Sequence, residues 1–211
     1  MTNAHNLSFA DQQSAQELLE AIQFFSRKGW SPATSTNYSA RLSGPDQFLI
    51  SRSGVDKSRF AASDLIVINA LGEVAPVSQG PGVKSSAETE IHTAIYRRFP
   101  DVNCVLHTHS PLGTFLSHKY VKAWEIKFSD WEILKGLSGI TTHLTTVVLP
   151  VVNNHQDMPA ILNEMDPHWQ NHPHGFLIAG HGLYTWGKSV AEAKRHIETF
   201  EFLFELKHLG D

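Results

Sequence analysis

A chain of 211 residues, 41% of them hydrophobic, is long enough to bury roughly 70% of the surface its unfolded form exposes, and no apolar run approaches the roughly 18 residues of a membrane span. Seventeen basic against 21 acidic side chains give a net charge of -4 with no long run of either sign, which argues against a nucleic-acid face. The single cysteine excludes a disulfide scaffold and a multi-cysteine zinc site. With no basic-then-apolar leader in Met1 to Phe9, it predicts a reducing, cytoplasmic setting. Charged residues are only 18%, below the roughly 25% of an ordinary domain, which predicts a surface partly given to subunit contacts.

Along the chain, Ala15, Leu18, Leu19, Ile22 and Phe25 recur at helical spacing from about Ser8 to Lys28, and Gly29 follows as a C-terminal stop. Asn37 to Leu42, Gln47 to Arg52 and Leu65 to Asn69 read as short strands, separated by Ser43-Gly44-Pro45 and Ala70-Leu71-Gly72 turns. Pro76 to Ser85 is a loop. Ser85 and Glu88 make an S-x-x-E capping box that predicts a helix ending at Pro100. Cys104 to His109 predicts a strand and Ser110 to His118 a short helix. Ser129 and Glu132 repeat the capping box, predicting a helix that closes near Gly136. Thr145 to Val152 is a β-branched strand and Gln156 to Met165 a helix. Phe176 to Trp186 is extended with an interruption at Gly180-His181-Gly182. Ser189 and Glu192 cap a last helix with Val190, Ala193, Ile197, Phe200 and Phe204 on one side. With no repeat and no linker, the expectation is one α/β domain over residues 1–211, a sheet covered by helices.

The thirteen histidines are the unusual feature. Side chains alternate along a strand, so Val105, His107 and His109 share one face, while Cys104 and Leu106 point into the core. Two imidazoles on one face form a two-ligand clamp for zinc, or simply a pair of partly exposed strand histidines. His181 tips the balance towards a metal, because glycines on both sides let its backbone approach a site closely. Three histidines without cysteine are the donor set of a catalytic zinc with an open position. His172 and His174 have the same spacing but flank Pro173 and read as a solvated loop. His92 follows Glu88 by one helical turn, a possible ligand pair, although no H-E-x-x-H is present. His196 and His208 read as surface or packing residues. Glu88 and Glu132 are the acid/base candidates; each is also the fourth residue of a capping box and has that structural use open to it. Asn37, Ser53-Gly54 and Ser85-Ser86 fall at strand ends or a helix start, where N–H groups and hydroxyls meet a phosphate. A cupin would place a glutamate shortly after H-x-H, and Ser110-Pro111-Leu112-Gly113-Thr114 has none.

Taken together, Ser86-Ala87-Glu88, Pro100-Asp101-Val102-Asn103, His107-Thr108-His109-Ser110 and Ala179-Gly180-His181-Gly182 resemble the class II aldolase/adducin family from about Phe9 to Leu209. Leu49 to Lys57, Trp131 to Gly136 and Gly182 to Gly187 look like its dehydratase branch, the zinc lyases of methionine salvage. The resemblance implies a three-layer α/β/α fold with a central, mostly antiparallel sheet. It also implies a ring-shaped homotetramer with active sites between subunits and a small sugar phosphate as substrate. His107, His109 and His181 would ligate one Zn2+ per subunit. Glu132 falls where the dehydratases keep their catalytic acid/base, and Glu88 where the sugar-phosphate aldolases keep theirs; Glu88 would be a fourth, displaceable ligand or an accessory base. Asn37, Ser53, Gly54 and Ser86 match the phosphate-holding positions, although Thr34-Ser35-Thr36-Asn37 lacks the glycine many aldolases carry there. The alternatives are a sugar-phosphate aldolase or 4-epimerase on the same metal, a non-catalytic adducin-like interaction module, and a generic three-histidine hydrolase. The complete histidine set disfavours the module, since a scaffold has no use for an open metal position.

Overall fold

The computed structural model describes residues 7–170 and 174–210. Helix α1 (Phe9–Arg27) starts where the Ser8 hydroxyl accepts the Asp11 N–H at 3.2 Å, and it buries Leu18, Ala21, Ile22 and Phe25. Strands β1 (Asn37–Arg41), β2 (Gln47–Ser51) and β3 (Leu65–Asn69) follow as an antiparallel meander. Then come α2 (Thr89–Arg98), β4 (Cys104–Thr108), α3 (Pro111–Tyr120) and β5 (Glu125–Ser129). The chain closes with β6 (Thr146–Val152), α4 (Met158–Met165), β7 (Gly175–Ile178), β8 (Gly182–Gly187) and α5 (Val190–Gly210). Ser189 caps α5 by accepting the Glu192 N–H at 3.1 Å. Among the described residues no helix is long and apolar enough to cross a membrane.

The strands form one sheet in the order β3-β2-β1-β4-β8-β7-β6-β5, antiparallel throughout except for the β6–β7 pair. Period-2 alternation sorts their side chains into two cores. Cys104 and Leu106 pack with Leu18, Leu116 and Ile197 beneath α1, α3 and α5. Val105 packs with Ile91, Ile95, Ile161 and Met165 beneath α2 and α4. The result is the expected three-layer sandwich.

Strand direction decides what shares an end of the sheet. β1 and β8 run against β4, whereas β2, β6 and β7 run with it. Asn37, Ser51, Thr108, Val152, Ile178 and Gly182 therefore all lie at one end. β5 runs against β6, so its last residue, Ser129, lies at the other.

Two expectations need correcting. Ser129 and Glu132 do not open an α-helix. Glu125 to Ser129 is the edge strand β5, with Ile126 and Phe128 buried and their neighbours turned out. Asp130 then takes a left-handed conformation, φ 65°, and only a five-residue 3-10 turn, Glu132–Gly136, follows without a side-chain cap. Nor do Ser85 and Glu88 form a capping box. Helix α2 begins at Thr89 with Glu88 itself in the N-cap position, the Ser86 hydroxyl accepts the Glu88 N–H at 3.2 Å, and the Glu88 carboxylate is left for other partners. His174, expected in a solvated loop, is buried and hydrogen-bonds the Ser138 carbonyl through Nε2 at 2.7 Å, and its ring meets that of buried His196. His172 lies outside the described residues.

Glu201 of α5 is 3% exposed, and its Oε1 has no partner among the described residues. Burial pushes its carboxyl from 4.5 up to about 8; the Glu205 charge adds to this and a hydrogen bond with the Ser110 hydroxyl opposes it. The folded state thus holds a proton that the unfolded state has released between those two values, so stability falls as pH rises through the window, by roughly 5 kcal/mol in full. Glu201→Gln should become progressively more stable than the parent between pH 5 and 8.5, read as the difference in Tm. A gap that stays constant across that range would overturn the assignment of a neutral, buried carboxyl.

Candidate metal centre

β4 pairs with β8 so that His107 lies opposite Tyr184 and Thr108 opposite Leu183. A Cβ on Gly182 would stand 2.1 Å from the Thr108 carbonyl oxygen and 2.9 Å from the His109 ring, so only glycine permits this approach. Gly180, at φ +63°, turns the chain between β7 and β8 and places His181 over the end of β4. Thr114 donates its hydroxyl to the His181 carbonyl at 2.9 Å and steadies that turn. β4 itself ends at Thr108, and His109 sits just beyond it, its N–H held by the Trp30 carbonyl at 2.8 Å.

These placements bring the three Nε2 atoms together. His107 Nε2 is 2.7 Å from that of His109 and 3.4 Å from that of His181. The His107 Nδ1–H donates to the Leu183 carbonyl at 3.0 Å, so its neutral ring presents an unshared pair at Nε2. Tyr184 stacks on the same ring, centroids 4.0 Å apart. Glu88 completes the ring of donors, with Oε1 3.0 Å from His181 Nε2 and Oε2 3.5 Å from His107 Nε2. Oε2 accepts from Asn37 Nδ2 at 2.6 Å and from the Tyr184 hydroxyl at 2.8 Å.

The electrostatics suit a cation. Burial pushes His107 well below its ordinary range, although the Glu88 charge pulls it back up. Burial also lowers His109, to about 4, helped by His181 and opposed by Glu88. Both rings are therefore neutral near pH 7. Burial raises the Glu88 carboxyl, but His107 first, then His181 and Asn37, outweigh it and hold the group well below the usual carboxylate range. Three imidazole nitrogens and one permanent carboxylate around a common point are a donor set that fits a divalent cation.

A cavity of about 530 Å³ opens beside the cluster, walled by Pro32, Ala87, Thr114 and Met158 and by the loop carrying Asn154, His155 and Gln156. That loop is tied down by Glu164, which accepts the Asn153 N–H at 2.8 Å and pairs with His155 Nε2 at 2.6 Å.

The other expected site residues divide into two groups. Asn37 and Ser86 lie beside Glu88, with Asn37 Nδ2 3.4 Å from the Ser86 hydroxyl. The Ser53-Gly54 loop joins that side, since the Ser53 N–H donates to the Lys84 carbonyl at 2.9 Å. Glu132 is elsewhere. It is 71% exposed, paired with Lys135 at 2.5 Å and His143 at 3.4 Å, and its carboxyl is lowered chiefly by the Lys135 hydrogen bond. Four inter-strand steps of about 4.8 Å separate β4 from β5, roughly 19 Å, and Ser129 is at the opposite end of the sheet. Glu132 therefore does not reach the histidines of its own chain. Tyr184 and the Asn154–Met158 wall were not anticipated. Tyr184 stood inside the G-L-Y-T-W-G segment, but its use depends on the β4–β8 register, which no local pattern specifies.

The chain belongs to the class II aldolase and adducin family, matching its N-terminal domain over residues 16–208. It is 46% identical over 195 residues, 92% of each chain, to a methylthioribulose-1-phosphate dehydratase of Methylococcus capsulatus. It is 43% identical over 200 residues to a dehydratase of the same description from Picosynechococcus, covering 94% of this chain and 93% of that one. The L-fuculose 1-phosphate aldolase of Glaciozyma antarctica superposes with a TM-score of 0.71 at 21% identity, over 97% of this chain and 76% of that one, which shows the shared fold.

Metal-stripped protein titrated with a divalent transition metal should saturate at one ion per chain. His107→Ala and His181→Ala should each abolish tight uptake. Full uptake by the double variant would show that the three imidazoles do not form the centre.

Proposed function

We propose that this protein dehydrates 5-methylthioribulose 1-phosphate to 2,3-diketo-5-methylthiopentyl 1-phosphate in methionine salvage, with Zn2+ held by His107, His109 and His181. The observation that carries the reading is the intact three-histidine centre in a chain that aligns almost end to end with dehydratases of that description. The apolar contribution of Met158, Pro32 and Ala87 to the cavity wall supports it, since a thioether tail needs such contacts. The cavity volume also lies within the range of small-ligand pockets.

A divalent cation bound there supplies Lewis-acid polarisation of a ketone oxygen, an effect of the size that moves a water pKa from about 15.7 to about 7, or about 12 kcal/mol. The protein's own residues do the rest. Ser53, Gly54, Ser86 and Asn37 would offer hydroxyl, amide and N–H groups to the phosphate, a role supported by Asn37 and Ser86 standing beside Glu88. Glu88, held ionised, contributes negative charge to the centre and is a poor proton donor. The proton at carbon three and the hydroxyl leaving carbon four then need a separate acid/base group, worth about 3 to 5 kcal/mol. Glu132 takes that role from a neighbouring subunit of a homotetramer. Its flanking residues, Trp131 and Ile133, are 45% and 36% exposed and form apolar surface suited to burial against another copy. Glu132 accepts the carbon-three proton and returns one to the departing hydroxyl, so that water leaves and the enol collapses to the diketone.

Metal-loaded protein should convert 5-methylthioribulose 1-phosphate to the diketone, and chelator should stop it. Carbon–carbon cleavage products in its place would move the assignment to an aldolase. Glu132→Gln should keep its metal and lose turnover by a hundredfold or more. Mixed with His107→Ala and allowed to exchange subunits, it should regain activity, because hybrid interfaces pair an intact metal centre with an intact Glu132. Mixtures that stay inactive would refute a shared site, and a larger loss in Glu88→Gln would transfer the acid/base role to Glu88.

A further inference from the structure

We propose that His92 is a positioning residue: acting through Asn37, it sets which oxygen of Glu88 faces the three-histidine centre. His92 lies on the inner face of α2, one turn after Glu88, and is completely buried. Its Nε2 is 2.5 Å from Asn37 Oδ1, and its Nδ1 is 2.7 Å from the Ser39 hydroxyl, which in turn is 2.8 Å from the Tyr96 hydroxyl. Asn37 Nδ2 then reaches Glu88 Oε2 at 2.6 Å. Ser39, Tyr96 and Asn37 are buried too, at 0%, 3% and 4% exposure, so a lost partner is poorly replaced by water.

The polarity of this chain is forced from its outer end. The amide nitrogen of Asn37 faces Glu88 Oε2 at 2.6 Å and its oxygen faces His92 Nε2 at 2.5 Å, and an amide oxygen only accepts. His92 must then carry its proton on Nε2. Burial lowers the ring to about 3, so it is neutral and Nδ1 accepts. Ser39 therefore donates to Nδ1 and accepts from Tyr96. Every member has one orientation, and reversing the Asn37 amide would set donor against donor at His92 and acceptor against acceptor at Glu88.

The consequence falls on the carboxylate. Oε2 takes two strong donors, from Asn37 and from Tyr184 at 2.8 Å. Oε1 has neither and stands 3.0 Å from His181 Nε2, whereas Oε2 is 3.5 Å from His107 Nε2, so Oε1 is the nearer and less engaged of the two. His92 thus makes Oε1 the working oxygen of Glu88. A ring that only filled space would leave the Asn37 amide free to turn. The inference rests on the proposed metal centre, and it holds whichever sugar phosphate is the substrate.

Co2+ titration of the metal-stripped, full-length protein tests it, because the visible absorption of the bound ion reports its coordination without any turnover. Glu88→Gln should alter the Co2+ spectrum. His92→Phe should reproduce that altered spectrum and weaken Co2+ binding by roughly ten- to a hundredfold. Adding His92→Phe to Glu88→Gln should change nothing further. His92→Gln, which keeps one donor and one acceptor, should return spectrum and affinity towards the parent. Asn37→Leu covers the case in which His92→Phe does not fold: it removes the donor to Glu88 with a side chain of similar shape and no added charge, and should give the same altered spectrum as His92→Phe. A parent-like spectrum and affinity in His92→Phe or Asn37→Leu would overturn the proposal. So would an unaltered spectrum in Glu88→Gln, or an additional loss when His92→Phe is added to it. A parent protein that takes up no Co2+ overturns the metal centre itself, a failure distinct from an absent or substrate-shifted dehydration.

Discussion

The close passage of β8 over the end of β4 is the constraint on which the site depends. Gly182 lies against the Thr108 carbonyl where no side chain fits, and that contact sets the distance at which His181 faces His107 and His109. The same pairing lays Tyr184 flat on the His107 ring and brings its hydroxyl to Glu88. It also lets the Leu183 carbonyl fix the His107 tautomer. A single missing Cβ thus aligns three ligands, one stacking partner and one hydrogen-bond donor. Burial then keeps His107 and His109 neutral enough to serve as ligands.

Much of this was legible in the residues. Alternation along Cys104 to His109 places His107 away from the Cys104–Leu106 core, and the glycines beside His181 signal close backbone approach, as found. Both capping boxes failed for a shared reason: S-x-x-E describes a possible hydrogen-bond pair, and each glutamate had a stronger claim elsewhere. Glu88 is drawn to Asn37, Tyr184 and the histidines, and Glu132 to Lys135. The strand β5 was hidden in E-I-K-F-S, whose period of two spans only five residues beside the tempting Ser129–Glu132 pair. Tyr184 and the cavity wall from Asn154 to Met158 depend on register and on loops meeting across the sheet, which are long-range properties.

The histidines show how far environment, and not residue type, decides use. Three turn their Nε2 atoms to one point. His92 turns inward and takes a place in a chain of directed hydrogen bonds. His174 and His196 pack together at the opposite end of the sheet. There His196 takes the Ser138 N–H at 3.2 Å, and Arg195 holds the Gly136 carbonyl at 2.9 Å. Glu192 binds the Ser138 hydroxyl as well. That network pins the chain immediately after Glu132 to α5, so a largely exposed carboxylate is carried on a firmly anchored turn.

The antiparallel course of β5 has a consequence for how the molecule becomes active. The metal donors gather at one end of the sheet and Glu132 is presented at the other, so on the proposed reading a lone chain owns both halves of the chemistry and can use neither with the other. Metal loading then needs only a folded chain, whereas turnover needs neighbours. Newly made or diluted protein would wait in a charged but silent form, and production of a reactive diketone would begin only once enough copies had accumulated to assemble.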